Sequence, residues 1–171
     1  MLMTRKKFFG FIFLLFFFQG NHSLAEKIVY MDFNYIVNNS IIGKKVLNEL
    51  NILNKKNLDN LKINQNMLKK EKEEINKIKN VASNEDLKKK VMLHNQNVKK
   101  FDKLKKRLSD EINKKRNEEM KKLVELIDPL LQDYMKNNSI DMILNKEIVY
   151  IAKDEYDISK AIIELTNNKY K

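Results

Sequence analysis

The sequence predicts an α+β fold that is mostly α: a long antiparallel helical hairpin, zipped as coiled-coil arms, on a small β-sheet body. Three observations predict it. Between Gly43 and Pro129 the chain contains neither glycine nor proline while its apolar residues recur at helical spacing, which requires very long helices. Lys27-Ile28-Val29-Tyr30-Met31-Asp32-Phe33 is β-branched and aromatic without a helical stripe, and reads as a strand. Far along the chain, Met142-Ile143-Leu144 and Ile148-Val149-Tyr150-Ile151 flank the polar Asn145-Lys146-Glu147, the pattern of a β-hairpin that would add two strands to the first.

Residues 1–25 stand apart from this plan. Arg5-Lys6-Lys7, the apolar run from Phe8 to Phe18, and the small residues Ser23 and Ala25 form the three parts of a secretory signal peptide removed after Ala25. An eleven-residue run is too short to cross a hydrocarbon core of about 30 Å as a helix. No cysteine follows that could carry a lipid anchor. Exported chains normally gain disulfides, but this one has no Cys, so its stability must come from packing and association. The lysine-rich middle offers few large apolar side chains for one globular core, and association of several copies is the expected remedy.

After the first strand, Asn34 to Ser40 can form a short helix, and Gly43 marks a change of course. Two arms follow, about residues 44–82 and 84–127, with the tip near 80–86, where Ser83 precedes Asp86 by three residues as in a helix-starting cap. Each arm would run roughly 60 Å at 1.5 Å per residue, so the second can return alongside the first. The outgoing arm repeats Leu47, Leu61, Leu68, Ile75 and Ala82, with Asn54 in the vacant slot, beside the line Leu50, Asn57, Asn64, Glu71 and Ile78. Returning, Leu87, Val91, His94, Val98, Phe101, Lys105, Leu108 and Ile112 alternate by four and three as a coiled-coil seam does. Asp128-Pro129 predicts a break, since proline suits the first position of a helix and not its interior. Leu130 to Asn137 would then be a short helix, the hairpin follows, and Asp157-Ile158-Ser159 caps a last amphipathic helix. Residues 26–43 and 128–171 thus make the β body with its short helices, and residues 44–127 make the arms.

Charge divides along the same line. Residues 44–127 hold 24 Lys and Arg against 13 Asp and Glu, a net of +11, whereas residues 26–43 and 128–171 hold 7 against 10, a net of −3. A positive field of this kind attracts acidic chains, lipid head groups or nucleic acid. Nucleic acid is not expected as a partner, because export removes it and the arms carry a single aromatic, Phe101, where single strands need stacking platforms. Several chemistries are excluded by composition. One histidine after residue 25 and no cysteine cannot build an ordinary His/Cys metal site within one subunit. A single glycine after residue 25 cannot build a phosphate-cradling loop, so neither a nucleotide cofactor nor an ATP-driven cycle is expected. Glu71-Lys72-Glu73-Glu74 and Glu118-Glu119 lie among lysines on solvated helix faces, where such runs form ion pairs and not catalytic dyads. The sequence therefore nominates no catalytic, cofactor or metal residue, and the expected protein is not an enzyme.

The ends of the chain carry a family resemblance. Lys27 to Asp32, then Ser40-Ile41-Ile42-Gly43-Lys44-Lys45, Asp128-Pro129, Ile140-Asp141-Met142-Ile143-Leu144, Val149-Tyr150-Ile151-Ala152 and Asp157-Ile158-Ser159 together resemble the Skp (OmpH) family of periplasmic chaperones. The resemblance implies a periplasmic homotrimer whose β body is a trimerisation body, with three helical hairpins around a cavity. It also implies that unfolded outer-membrane β-barrel proteins are held there without ATP before membrane insertion. Lipopolysaccharide or anionic lipid is a further partner of some members. On this reading Met67, Leu68, Lys88, Lys89, Lys90, Met92 and Phe101 of the arms meet the client, through flexible thioethers, apolar contact and positive charge. Ile28, Tyr30, Ile143, Val149 and Ile151 would join the subunits. The competing expectation is a structural coiled coil of the cell envelope with no chaperone activity.

Overall fold

The computed structural model describes residues 26–171, so the signal-peptide expectation at 1–25 lies outside the described residues. The chain is α+β and mostly helical: two strands, two very long helices, and short helices at the base.

Strand β1 (Ile28–Met31) buries Val29 and Tyr30. Asp32 ends it and starts α1 (Phe33–Asn39) by accepting a bond from the Tyr35 backbone N–H at 2.8 Å. Ser40 then serves both neighbours: its N–H closes α1 onto the Ile36 carbonyl, and its hydroxyl accepts from the Gly43 N–H to start α2 (Ile41–Ile78). The change of course expected at Gly43 therefore falls at Ser40. Gly43 sits inside the first turn of α2, where it lets α1 approach closely.

Helix α3 (Asn84–Asn137) returns antiparallel to α2, and Ser83 caps it by accepting from the Asp86 N–H at 3.1 Å. The predicted break at Pro129 is absent, and α3 runs through the proline for another two turns. Proline removes one N–H from the helix ladder, but Pro129 lies on the exposed side while Ile127 and Leu130 on either flank are buried. Beyond it Leu131, Tyr134 and Met135 pack against the core, and that apolar contact keeps the chain helical past the missing bond. The helix ends at Asn137, and Ser139, just past the cap residue Asn138, is the one non-glycine residue of the described chain with a positive φ, 52°. Around it the Ile140 N–H reaches back to the Met135 carbonyl at 3.0 Å and Ile140 enters the core.

Strand β2 (Met142–Asn145) pairs with β1 in parallel, Ile28 opposite Met142 and Met31 opposite Asn145. The expected hairpin does not form. A tight hairpin turn needs residues at positive φ, and Asn145-Lys146-Glu147 adopts none; the Asn145 side chain instead accepts from the Glu147 N–H and folds Lys146–Ile148 into a 3-10 turn. Val149-Tyr150-Ile151 is not a strand, and the sheet has two strands instead of three. Lys146 reaches Asp32 at 3.9 Å and Asp157 at 3.8 Å, and Glu147 accepts from Asn34, so the turn is tied to the start of α1.

A second 3-10 turn (Asp154–Tyr156) leads to one bridge between Tyr30 and Asp157 and then to α4 (Ser159–Lys169). The N-cap residue of α4 is Ile158, which has no capping side chain, and Asp157 just before it accepts from the Ser159 N–H at 2.9 Å. The core of the body is Val29, Ile36, Ile127, Ile140, Ile158 and Ile162, each worth about 1.5–3 kcal/mol of gross burial. Helix α4 also fixes the arm roots: Asn167 Oδ1 accepts from the Ile41 N–H at the start of α2, and the Tyr170 hydroxyl donates to the Leu126 carbonyl of α3. The body thereby sets where both arms leave it.

Candidate functional site

No described helix is long and apolar enough to cross a membrane. Among the described residues no three His, Asp or Glu side chains converge as a metal site would require. The chemistry on offer is that of the α2–α3 arm: its seam, its faces and its charge.

The seam follows the predicted stripe with local shifts. Leu50, Asn57 and Leu108 are buried in it, and Leu61, Asn64, Leu68, Glu71, His94, Phe101 and Ile112 are half-buried. Asn54 and Lys105, expected inside, are exposed, and Leu53 and Leu104 take those places; Val91 is also exposed. A stripe of long helical pitch tolerates a one-residue exchange where the neighbour is apolar, and both exchanges bring a leucine in for a polar residue. Lys105 instead places its ammonium 5.3 Å from the centre of the Phe101 ring.

Polar residues of the seam differ in what they bond. Glu71 spans the two helices, 3.0 Å from His94 Nδ1 and accepting from Asn97 Nδ2 at 2.9 Å. Asn64 donates within its own helix, to the carbonyl and side chain of Asn60. Asn57 is buried with its Nδ2 unpartnered, which costs about 1–3 kcal/mol at such a site. The middle of the arm, around Asn57 and Asn64, is therefore joined by apolar contact alone, and cross-helix hydrogen bonds begin at Glu71.

Glu119, nearer the body, is the most strongly perturbed group. Its side chain is one-tenth exposed, and the Lys115 and Lys122 ammonium groups each donate to Oε1 at 2.8 Å. The bond from Lys115, then that from Lys122, hold the Glu119 carboxyl down to about 2 from an ordinary 4.5. Burial opposes this, but by less than either hydrogen bond favours it. Lys115 is raised in turn, chiefly by its hydrogen bond to Glu119. A carboxylate with a depressed pKa contributes stability that is complete above its unfolded value and lost as pH falls. Glu119→Gln is accordingly expected to melt lower than the parent at pH 7, with the gap closing between about pH 4.5 and pH 2. Circular dichroism melts across that range check this, and a gap independent of pH would show that the carboxylate charge is not what Glu119 supplies.

The side chains nominated from sequence are distributed over different surfaces. Met67, Leu68 and Phe101 line one groove along the arm with Asn64, Asn97 and Leu104. Of these only Met67 is exposed; Leu68 and Phe101 are half-buried in the seam. Lys88 and Met92 lie on another face nearer the tip, beside Val91 and Lys99, with Lys89 paired to Glu85 at 2.9 Å and Lys90 exposed. At the body, Tyr30 is buried and Ile143 packs on the core of its own subunit, so both serve the fold of the single chain. Val149 is half-buried, and Ile28 and Ile151 are exposed. Glu119, buried in the seam, was indistinguishable in sequence from its exposed neighbour Glu118, since both sit among lysines.

The described residues form a small α+β body from which two antiparallel helices project as a single arm. Residues 27–165 match the family described as "Outer membrane protein (OmpH-like)", and since that is most of the chain, the protein belongs to the OmpH-like family. A crystal structure of a candidate OmpH-like outer membrane chaperone from Caulobacter crescentus CB15 has the same fold: the TM-score is 0.75 at 17% identity, over 91% of this chain and 92% of that one. No individually curated protein matches the chain in sequence.

Proposed function

We propose that this protein is an ATP-independent holding chaperone of the periplasm, which binds unfolded outer-membrane β-barrel proteins and keeps them from aggregating before insertion. The observation that carries the reading is the composition of the arm surface. Ile52, Leu58, Ile63, Met67, Met92 and Leu93 are exposed on it, within a segment whose net charge is +11. An unfolded barrel protein offers apolar residues and, in many cases, net negative charge, so it is drawn by the field and sheltered by many weak contacts. Adaptable holding of this kind needs neither a cofactor nor a catalytic group. We further propose that the working unit is a homotrimer assembled through the bodies, with lipopolysaccharide or anionic lipid as a secondary partner of the basic arms.

The test is dilution of a urea-unfolded outer-membrane β-barrel protein from denaturant with and without the mature chain, followed by light scattering. The expected result is suppression of scattering at stoichiometric chaperone without nucleotide. Unchanged aggregation would favour a structural coiled coil of the envelope.

A further inference from the structure

Each helix of the arm exposes five large apolar side chains, but they are arranged differently. On α2, Ile41, Ile52 and Ile63 recur every eleven residues, a spacing that keeps side chains nearly in line along a helix. They are 49%, 61% and 62% exposed, and Met67, one turn beyond Ile63, is 56% exposed. The line is about 39 Å long and lies roughly a third of a turn around α2 from the seam. Helix α3 has no counterpart: its exposed large apolar residues are confined to Val91–Leu93 near the tip and to Val124 and Leu126 near the root.

Charge follows the same asymmetry. Lys45 and Lys56 fall on the apolar line of α2, and among the described residues no α2 lysine makes an ion pair. Six α3 lysines, by contrast, are held by carboxylates of their own helix. Between Ile52 and Met67 the one carboxylate is Asp59, against three lysines. Between Ile52 and Ile63 the outward face of α2 thus sets isoleucines beside Lys55, Lys56 and Lys62 against the single carboxylate Asp59, and none of these lysines has an ion-pair partner among the described residues; the complement of this net positive face is a segment carrying apolar and acidic side chains.

We infer that this face of α2, and not the seam or α3, is where an extended acidic segment of the client lies. The inference rests on the holding-chaperone reading and narrows it to one surface, which includes Met67 and leaves out Met92, Leu68 and Phe101. An extended chain turns alternate residues to one side, so its apolar residues can follow the isoleucine line while its carboxylates reach Lys45 and Lys56.

Binding of a fluorescently labelled, urea-unfolded acidic outer-membrane β-barrel protein is measured by anisotropy for the mature parent, for Ile52→Ser/Ile63→Ser, and for Met92→Ser/Leu93→Ser. The α2 pair is expected to weaken binding roughly tenfold and the α3 pair by less than about twofold, with the sedimentation of both unchanged. Three results overturn the inference alone: parent-like binding by the α2 pair, an equal loss in the α3 pair, or altered sedimentation of the α2 pair, which would mean that another copy of the chain covers this face. A parent that fails to bind the client overturns both the inference and the reading it rests on.

Discussion

Replacing Gly43 by Ala is expected to destabilise the protein by about 3 kcal/mol or more, a fall in melting temperature on the order of 10 °C. Helix propensity alone predicts the opposite sign, since Ala is favoured over Gly in a helix by roughly 1 kcal/mol. Space decides against it. A Cβ on Gly43 would stand 2.0 Å from the Val37 carbonyl oxygen, 2.7 Å from its carbon and 2.8 Å from Ser40 Oγ. Two of those atoms are backbone at the end of α1 and cannot rotate aside. To admit the methyl group, α1 must lift from α2, which pulls Ile36 and Val37 from their buried positions and stretches the bond from the Gly43 N–H to Ser40. Melting followed at 222 nm on parent and variant checks this. A variant that melts at or above the parent temperature would show that α1 is free to move away from the root of the arm.

That constraint was only half legible in the sequence. The long helices were, because eighty-odd residues without glycine or proline and with an apolar stripe leave the backbone few alternatives. Ser83 and Asp86 marked the tip through purely local hydrogen bonding, which is why their positions identified the start of α3. Where tertiary packing overrides local preference, the reading failed. Pro129 looked like a boundary because its local cost is known, whereas the contacts of Ile127, Leu130 and Tyr134 that outweigh it come from residues distant in the chain. Ile148 to Ile151 looked like a strand because β-branched and aromatic residues are the same whether they cover a sheet of this chain or another surface. The candidate site shows the same limit: Met67 and Leu68 are adjacent in sequence, yet one faces solvent and the other the seam. Even so, the eleven-residue spacing of Ile41, Ile52 and Ile63 was a visible signal. It was hidden by the stronger four-and-three repeat of the seam.

The failed hairpin leads to the second large effect. In solution, Tyr150→Asp/Ile151→Asp is expected to convert the proposed homotrimer into a folded monomer, raising the dissociation constant by roughly a thousandfold. Ile148, Tyr150 and Ile151 are 72%, 101% and 85% exposed beside a sheet of only two strands, and a sheet so small is marginal by itself. Covering those three side chains in a neighbouring body would remove them from water, each at about 1.5–3 kcal/mol, whereas two aspartates in the same interface would be buried without partners. The choice of positions matters to the reading of the result. Ile143 packs on the core of its own chain, so Ile143→Asp would unfold the subunit and dissociate the assembly for the wrong reason. Tyr150 and Ile151 touch nothing that holds β1, β2 or α4 together, and the variant should keep its helical circular dichroism while its sedimentation falls. A parent that already sediments as a folded monomer, or a variant that stays assembled, would remove these residues from the interface and with them the proposal that the bodies join the arms into one unit.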